Sequence, residues 1–314
     1  MNAEARVLIT GIGGYIGSQL AGQLAEHCFV TGIDLRTHPS LACPHQVMDI
    51  RDPCLAGLLQ HERITHVIHL AAVLEDSGDR QRDYDIDVNG TRNVLDACLA
   101  AGVRHLTVTS SGAAYGYHAD NPNWIDEMDP LRGNPQFAYS DHKRQVEELL
   151  ADYRARYPQL TQLVLRPGTV LGAETRNLIT NLFSKRRILA IRGSDSPFVF
   201  IWDQDLINII RIGVLQQRAG TYNLAGDGAV PIRRIAALLD KPVLTVPAAL
   251  LRLILCIGKL VGVGRYGPEK IDFLRYRPVL SNRRLKQEFG YVPLKTSEQV
   301  LTYYIGHARA RGDL

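Results

Sequence analysis

The sequence predicts an α/β fold built on a doubly wound parallel sheet, with a smaller mixed domain towards the carboxyl end. Apolar, β-branched runs alternate with helix-length amphipathic segments through the first half. A glycine-rich turn separates the first such run from the first helical segment, and the alternation becomes irregular after Arg166-Pro167-Gly168. Alternation of this kind is the mark of repeated βαβ units, because parallel strands need a crossover helix between them.

Strands are expected at 6–10, 29–34, 66–70, 105–110 and 160–166, with a short third strand ending at Asp49-Ile50. Helices are expected at 15–27, 84–101 and 139–157, the second closed by Gly102, where glycine takes the left-handed C-cap geometry. A strand at 221–224, ahead of Ala225-Gly226-Asp227-Gly228, reads as a return to the parallel sheet, which makes the second domain discontinuous.

Composition bounds the function. The 314 residues suit one large α/β domain with a lesser one, at roughly 150 residues per domain. Hydrophobic residues at 46% and charged residues at 22% are ordinary globular usage, which excludes a disordered or fibrous chain. The net charge of +4 interleaves 36 basic with 32 acidic residues, so no nucleic-acid partner is implied. Lys185 to Arg187 and Arg283 to Lys286 read as solvated helix faces.

Cys28, Cys43, Cys54, Cys98 and Cys256 are odd in number and lack metal-ligand spacing, so reduced thiols in a cytoplasmic protein without a metal are expected. Met1-Asn2-Ala3-Glu4 leads into the first strand without the regions of a signal peptide. The longest apolar stretch, 247–264, carries Arg252 and Lys259 and falls short of the ~20 apolar residues of a membrane span. Its Leu250, Ile254, Ile257 and Val261 recur at helical spacing and read as a core helix of the small domain; a substrate-pocket lining or a subunit contact is the other reading.

The run Val7-Leu8-Ile9-Thr10-Gly11-Ile12-Gly13-Gly14-Tyr15-Ile16-Gly17 sets Gly11, Gly14 and Gly17 three apart between strand and helix. Such a turn lets backbone amides and the positive helix end approach a pyrophosphate. Asp34 closes the second strand about twenty residues past Gly14. A carboxylate there accepts from the ribose hydroxyls of NAD and repels the extra phosphate of NADP, although Arg36 nearby is a residue type that holds that phosphate. Asp49 and Ile50 read either as adenine contacts or as a plain surface turn.

Tyr139 and Lys143 stand four apart on a helix and project from one face. A tyrosine with its usual pKa near ~10 is a poor base at neutral pH, and a neighbouring ammonium stabilises its phenolate. Ser111 follows the fifth strand at the carboxyl edge of the sheet, where ligands of open α/β folds bind. Its hydroxyl is placed to polarise a substrate oxygen while Tyr139 moves the proton. In isolation a Tyr/Lys pair is an exposed helix face; its order after the glycine turn, Asp34 and Ser111 makes it a catalytic set.

These motifs resemble the extended short-chain dehydrogenase/reductase family, the NAD-dependent epimerases and dehydratases. The resemblance rests on Thr10 to Gly17, His69-Leu70-Ala71-Ala72, Thr109-Ser110-Ser111-Gly112-Ala113-Ala114-Tyr115-Gly116, Tyr139 with Lys143, and Arg166-Pro167-Gly168, and it covers nearly the whole chain. It implies a Rossmann-type NAD-binding domain over 1–168 plus about 202–226, and a substrate-binding domain over about 169–201 and 227–314. It implies further that Gly11, Gly14, Tyr15, Ile16, Gly17, Asp34, Asp49, Ile50, Leu70, Ala71, Ala72, Thr109, Tyr139, Lys143, Pro167 and Val170 contact the cofactor, with Ser111, Tyr139 and Lys143 catalytic. A homodimer through the helices at 84–101 and 139–157 is also implied, and the segment from Ser281 to Tyr291 looks like the family's closing helix motif.

The departures bear on substrate. Gly112 and Ala113 stand where sugar dehydratases of the family carry the Asp-Glu pair of the elimination, which disfavours dehydration. Phe198 stands where nucleotide-sugar enzymes carry an arginine against the substrate diphosphate, and Trp202 replaces a histidine. Asp87 replaces an asparagine of the N-x-x-G-T pattern, which bears on a helix-end hydrogen bond more than on chemistry. The expected function is hydride transfer between NAD and a secondary alcohol or ketone, either a sugar derivative or an apolar carbonyl compound. The alternatives are a nucleotide-sugar epimerase that retains NAD and a catalytically silent, NAD-sensing regulatory protein.

Overall fold

The run Val7-Leu8-Ile9-Thr10 is fully buried, as a strand covered by helices on both faces must be, and it forms β1 (Arg6–Thr10). The computed structural model describes residues 5–74, 77–260 and 270–314. After β1 come α1 (Tyr15–Ala25), β2 (Phe29–Asp34), β3 (His45–Val47), α2 (Leu55–His61), β4 (His66–His69), α3 (Arg80–Tyr84), α4 (Gly90–Ala101), β5 (His105–Thr109), α5 (Ala138–Arg156) and β6 (Thr161–Pro167). The chain continues through β7 (Thr169–Leu171), α6 (Leu178–Phe183), β8 (Ile188–Ile191), β9 (Phe200–Trp202), α7 (Asp203–Leu215), β10 (Gly220–Leu224), α8 (Ile232–Leu239), β11 (Val243–Val246), α9 (Ala248–Leu260), α10 (Lys270–Arg275) and α11 (Ser297–Ala310).

Seven strands form one sheet in the order β3-β2-β1-β4-β5-β6-β10. Strand β1 pairs in parallel with both β2 and β4, Thr10 lying opposite Ile33 on one side and His69 on the other. The connection order reverses between β1 and β4, and ligands of open α/β sheets bind at the carboxyl ends of strands at such a reversal.

The chain forms two compact units, one of Met1–Ala114, His142–Arg166 and Gln204–Tyr222, the other of Tyr115–Asp141, Pro167–Asp203 and Asn223–Leu314. In the first, Val94, Leu95 and Cys98 of α4 and Val146, Leu149 and Tyr153 of α5 share a core with Leu106, Val108 and Val164 of the sheet. A buried pair ties α5 to β6: Arg166 donates from Nε and Nη2 to the two carboxylate oxygens of Glu147, each at 2.7 Å. The helical stretch expected from 84 to 101 begins at Arg80 and passes through a π turn at Asp85–Asn89 before α4.

In the second unit, β8 pairs with β11 and β7 with β9, both in parallel. Phe183, Phe198 and Phe200 pack ring on ring, the last two stacked at 5.7 Å. A Thr296–Gln299 capping box starts α11. The expectation of a core helix at 247–264 is overturned: Leu250, Ile254 and Ile257 of α9 are each about half exposed, and Val261 lies outside the described residues. Among the described residues no helix is long and apolar enough to cross a membrane, and no group of three or more His, Cys, Asp or Glu is placed to hold a metal ion.

Candidate active site

The turn between β1 and α1 is shaped by what its glycines lack. Gly11 has φ +70°, and a side-chain carbon there would lie 3.1 Å from the Ala71 amide nitrogen. One on Gly17 would lie 2.4 Å from the Gly11 carbonyl oxygen. Gly14 is the N-cap of α1 and has no side chain to place on the helix's first amides at Tyr15, Ile16 and Gly17.

Asp34 ends β2 beside this turn. Its Oδ2 accepts the Gly13 N–H at 3.0 Å, and its Oδ1 lies 3.3 Å from Nε2 of His38. The His38 ring lies against Gly13, where a side-chain carbon would come within 1.9 Å of it. Each carboxylate oxygen accepts two hydrogen bonds, so Asp34 retains capacity for hydroxyl donors. Arg36 is exposed. A glycine turn on a helix end and a carboxylate one strand over fit a dinucleotide.

The loop after β4 is pinned by a directed chain of hydrogen bonds. The Thr91 hydroxyl donates to the Asp87 carbonyl at 2.5 Å and so accepts from His69 Nε2 at 3.1 Å. His69 Nδ1 then accepts from the Thr10 hydroxyl at 2.8 Å, and Thr10 Oγ1 accepts the Ala71 N–H at 3.2 Å. Burial and the neighbouring Lys143 charge push His69 down to about 4, which keeps it neutral. The Asp87 carboxylate takes the Val73 N–H at 2.8 Å and lies 3.6 Å from Nδ1 of buried His142. Ala71 is thereby held beside Gly11, at the carboxyl end of β4 where the sheet order reverses. His69 and Asp87 enter the sequence reading only as members of motifs, and His38 and His142 are not singled out there; the contacts His38 makes with Asp34 and His142 with Asp87 appear only in the fold.

Ser111 follows β5, partly buried, and its Oγ accepts the Ala113 N–H at 3.1 Å. Tyr139 and Lys143 lie one turn apart on α5. The Lys143 side chain is buried, with Nζ 3.5 Å from the Thr109 carbonyl oxygen. Pro167 is buried at the end of β6, and Val170 pairs with Ile201 across β7 and β9. Asp49 spends its carboxylate on Arg51, which accounts for its lowered pKa. Ile50 is buried in the core of the first unit, against Gly90 at the start of α4.

A residue that sequence reasoning missed stands in the second unit. The Arg277 guanidinium lies 3.8 Å over the Phe198 ring and 4.1 Å over that of Phe273. Its Nε and Nη2 are buried without a hydrogen-bond partner among the described residues, and burial lowers the group to about 10. Phe273 packs against Tyr117 and Phe137, and Phe137 reaches Tyr139 at 6.3 Å between centroids. Burial raises the Tyr117 hydroxyl well above its ordinary value. Arg277 thus stacks on the ring of Phe198, a residue 79 positions before it in sequence.

The N-acetyl-alpha-D-glucosaminyl-diphospho-ditrans,octacis-undecaprenol 4-epimerase of Escherichia coli O157:H7 is 29% identical over 57% of this chain and 53% of its own length. The Bordetella bronchiseptica enzyme WbmG, solved with NAD and UDP, matches with a TM-score of 0.78 at 20% identity, over 99% of this chain and 96% of that one. The UDP-glucose 4-epimerase of Thermus thermophilus, solved with NAD, matches at 0.74 and 23% identity, over 97% and 99%. These structural likenesses show the fold. Residues 7–203 match the model of the NAD dependent epimerase/dehydratase family, well over half of the sequence, and the chain belongs to that family.

Proposed function

We propose that this protein is an NAD-dependent epimerase of a diphosphate-linked sugar, in which a ring hydroxyl is oxidised and the ketone reduced again on its other face. Bound NAD supplies the hydride acceptor and donor. Tyr139 takes the hydroxyl proton on oxidation and returns it on reduction. Lys143, one turn on, supplies the compensating positive charge, and Ser111 polarises the oxygen as it becomes a carbonyl. Asp34 holds the adenosine ribose and selects NAD over NADP.

The observation that carries the sugar-diphosphate reading is Arg277. A guanidinium pressed between two phenylalanine rings, with two buried nitrogens unpartnered among the described residues, costs free energy that an anionic ligand would offset. The Escherichia coli relative acts, by its name, on a diphospho-linked sugar, and the Bordetella structure contains UDP. Gly112 and Ala113 leave no acid at the two positions after Ser111 for an elimination.

A second reading, net oxidation of an apolar alcohol, draws on the aromatic surround of Tyr117, Phe137, Phe198 and Phe273. One experiment separates the two. Nucleoside-diphosphate sugars are incubated with the protein and NAD, while ring configuration is followed by NMR and reduced cofactor by absorbance. Inversion at a ring carbon without accumulating reduced NAD is expected, with Arg277→Leu raising KM. Stoichiometric reduction of NAD, or indifference to Arg277→Leu, contradicts the proposal.

A further inference from the structure

Gly11, Gly14 and Gly17 answer to the turn and the helix behind it, whereas Gly13 answers to a side chain. A carbon on Gly13 would lie 1.9 Å from Nε2 of His38 and 2.1 Å from its Cδ2, so any other residue there would expel the imidazole from this position. The imidazole that glycine admits reaches the carboxylate of Asp34, with Nε2 3.3 Å from Oδ1. Nε2 is buried without a hydrogen-bond partner among the described residues. A bare ring lone pair so close to a carboxylate oxygen would repel it, so Nε2 carries its hydrogen.

His38 is tethered from behind. Its backbone N–H donates to Nε2 of His45 on β3 at 3.0 Å, which leaves the His45 hydrogen on Nδ1, 3.3 Å from the Cys43 carbonyl oxygen. Among the described residues, Asp34 and His45 are the titratable groups that meet His38. The glycine turn it packs on supplies none, and Arg36, in the same loop, is exposed. The formal charges of Asp34 and Arg36 cancel, so a proton on His38 leaves this corner of the site net positive. Histidine is the side chain that ordinarily changes charge between about pH 5 and 8.

We propose that His38 sets how strictly the nucleotide site refuses the 2′-phosphate of NADP. With His38 neutral, the Asp34 carboxylate repels that phosphate; with His38 protonated, the imidazolium offsets the carboxylate and pairs with the phosphate. The proposal rests on the cofactor reading above and extends it, since a carboxylate alone would discriminate alike across this pH range. Its test reads cofactor affinity and is independent of turnover.

NAD and NADP are titrated by calorimetry into the full-length protein, His38→Asn and His38→Lys at about pH 5.5 and about pH 8. The phosphate itself takes a proton near about pH 6, so the parent is read against the variants. Between the higher and the lower pH, the parent's affinity for NADP relative to NAD should rise about tenfold more than that of His38→Asn, the equivalent of one pKa unit of coupling. His38→Lys, cationic at both values, should favour NADP about tenfold more than His38→Asn at each. Thermal unfolding checks that every form is folded, and the comparison of the two variants at about pH 8 decides by itself if acid unfolds the protein. A ratio that moves with pH alike in the parent and His38→Asn, or a His38→Lys protein that favours NADP no more than His38→Asn does, overturns the proposal. Binding of neither cofactor by the folded parent overturns the cofactor reading itself, and the proposal with it.

Discussion

Asp34 and Arg277 mark two ends of what single residues disclose. Asp34 is legible because a fixed local frame, strand, glycine turn and helix, sets its distance from Gly14 along the chain. The structure places its carboxylate on the Gly13 amide, 3.0 Å away. Replacing it with Ala should weaken NAD binding and relax the discrimination against NADP, as read by titration calorimetry with both cofactors. An unmoved ratio of affinities would remove Asp34 from cofactor selection. Arg277 is illegible for the opposite reason. Its value lies in resting on Phe198 and Phe273, and no local periodicity encodes that meeting. A linear reading of Phe198 registers only the loss of a cation.

At the scale of elements, the alternation of strands and helices in the first half needed only period and length to be read, and β1 and β2 coincide with the expected runs. The helix expected at 84–101 differs because the π turn at Asp85–Asn89 breaks the 3.6-residue period on which the reading depends. That turn carries Asp87, whose carboxylate anchors the Val73 amide. Helix α9 misled for another reason: aliphatics at helical spacing specify a face, not what covers it. Helix α5, which carries Tyr139 and Lys143, is fixed to β6 by the buried Glu147–Arg166 pair. Removing one partner leaves a buried charge uncompensated, so Glu147→Ala should cost about 3–5 kcal/mol of stability in denaturant unfolding. A cost within ordinary surface variation would show that the pair does not hold the helix.

For the whole molecule, buried imidazoles in the sheet set a limit in acid. Burial lowers His66 and His69 to about 4 each, and lowers His105 as well. In the unfolded chain the same groups take a proton near about 6.5. Between these values the unfolded state binds more protons than the folded one, so stability is fully present above about 6.5 and is lost as pH falls towards about 4. Thermal unfolding measured across that window should show the midpoint dropping steadily, and His69→Gln should flatten part of the drop. A flat profile would mean that these histidines are charged in the fold.

In the proposed reaction the glycine turn serves cofactor binding and Tyr139 serves proton transfer. Tyr139→Phe, which removes a single hydroxyl, separates the two when NAD affinity is measured by calorimetry and turnover is measured on the substrate identified by NMR. NAD binding should remain nearly intact while turnover falls by about 10²–10⁴, the range typical of a lost general acid/base. Turnover undiminished in the folded variant would rule out Tyr139 as the acid/base.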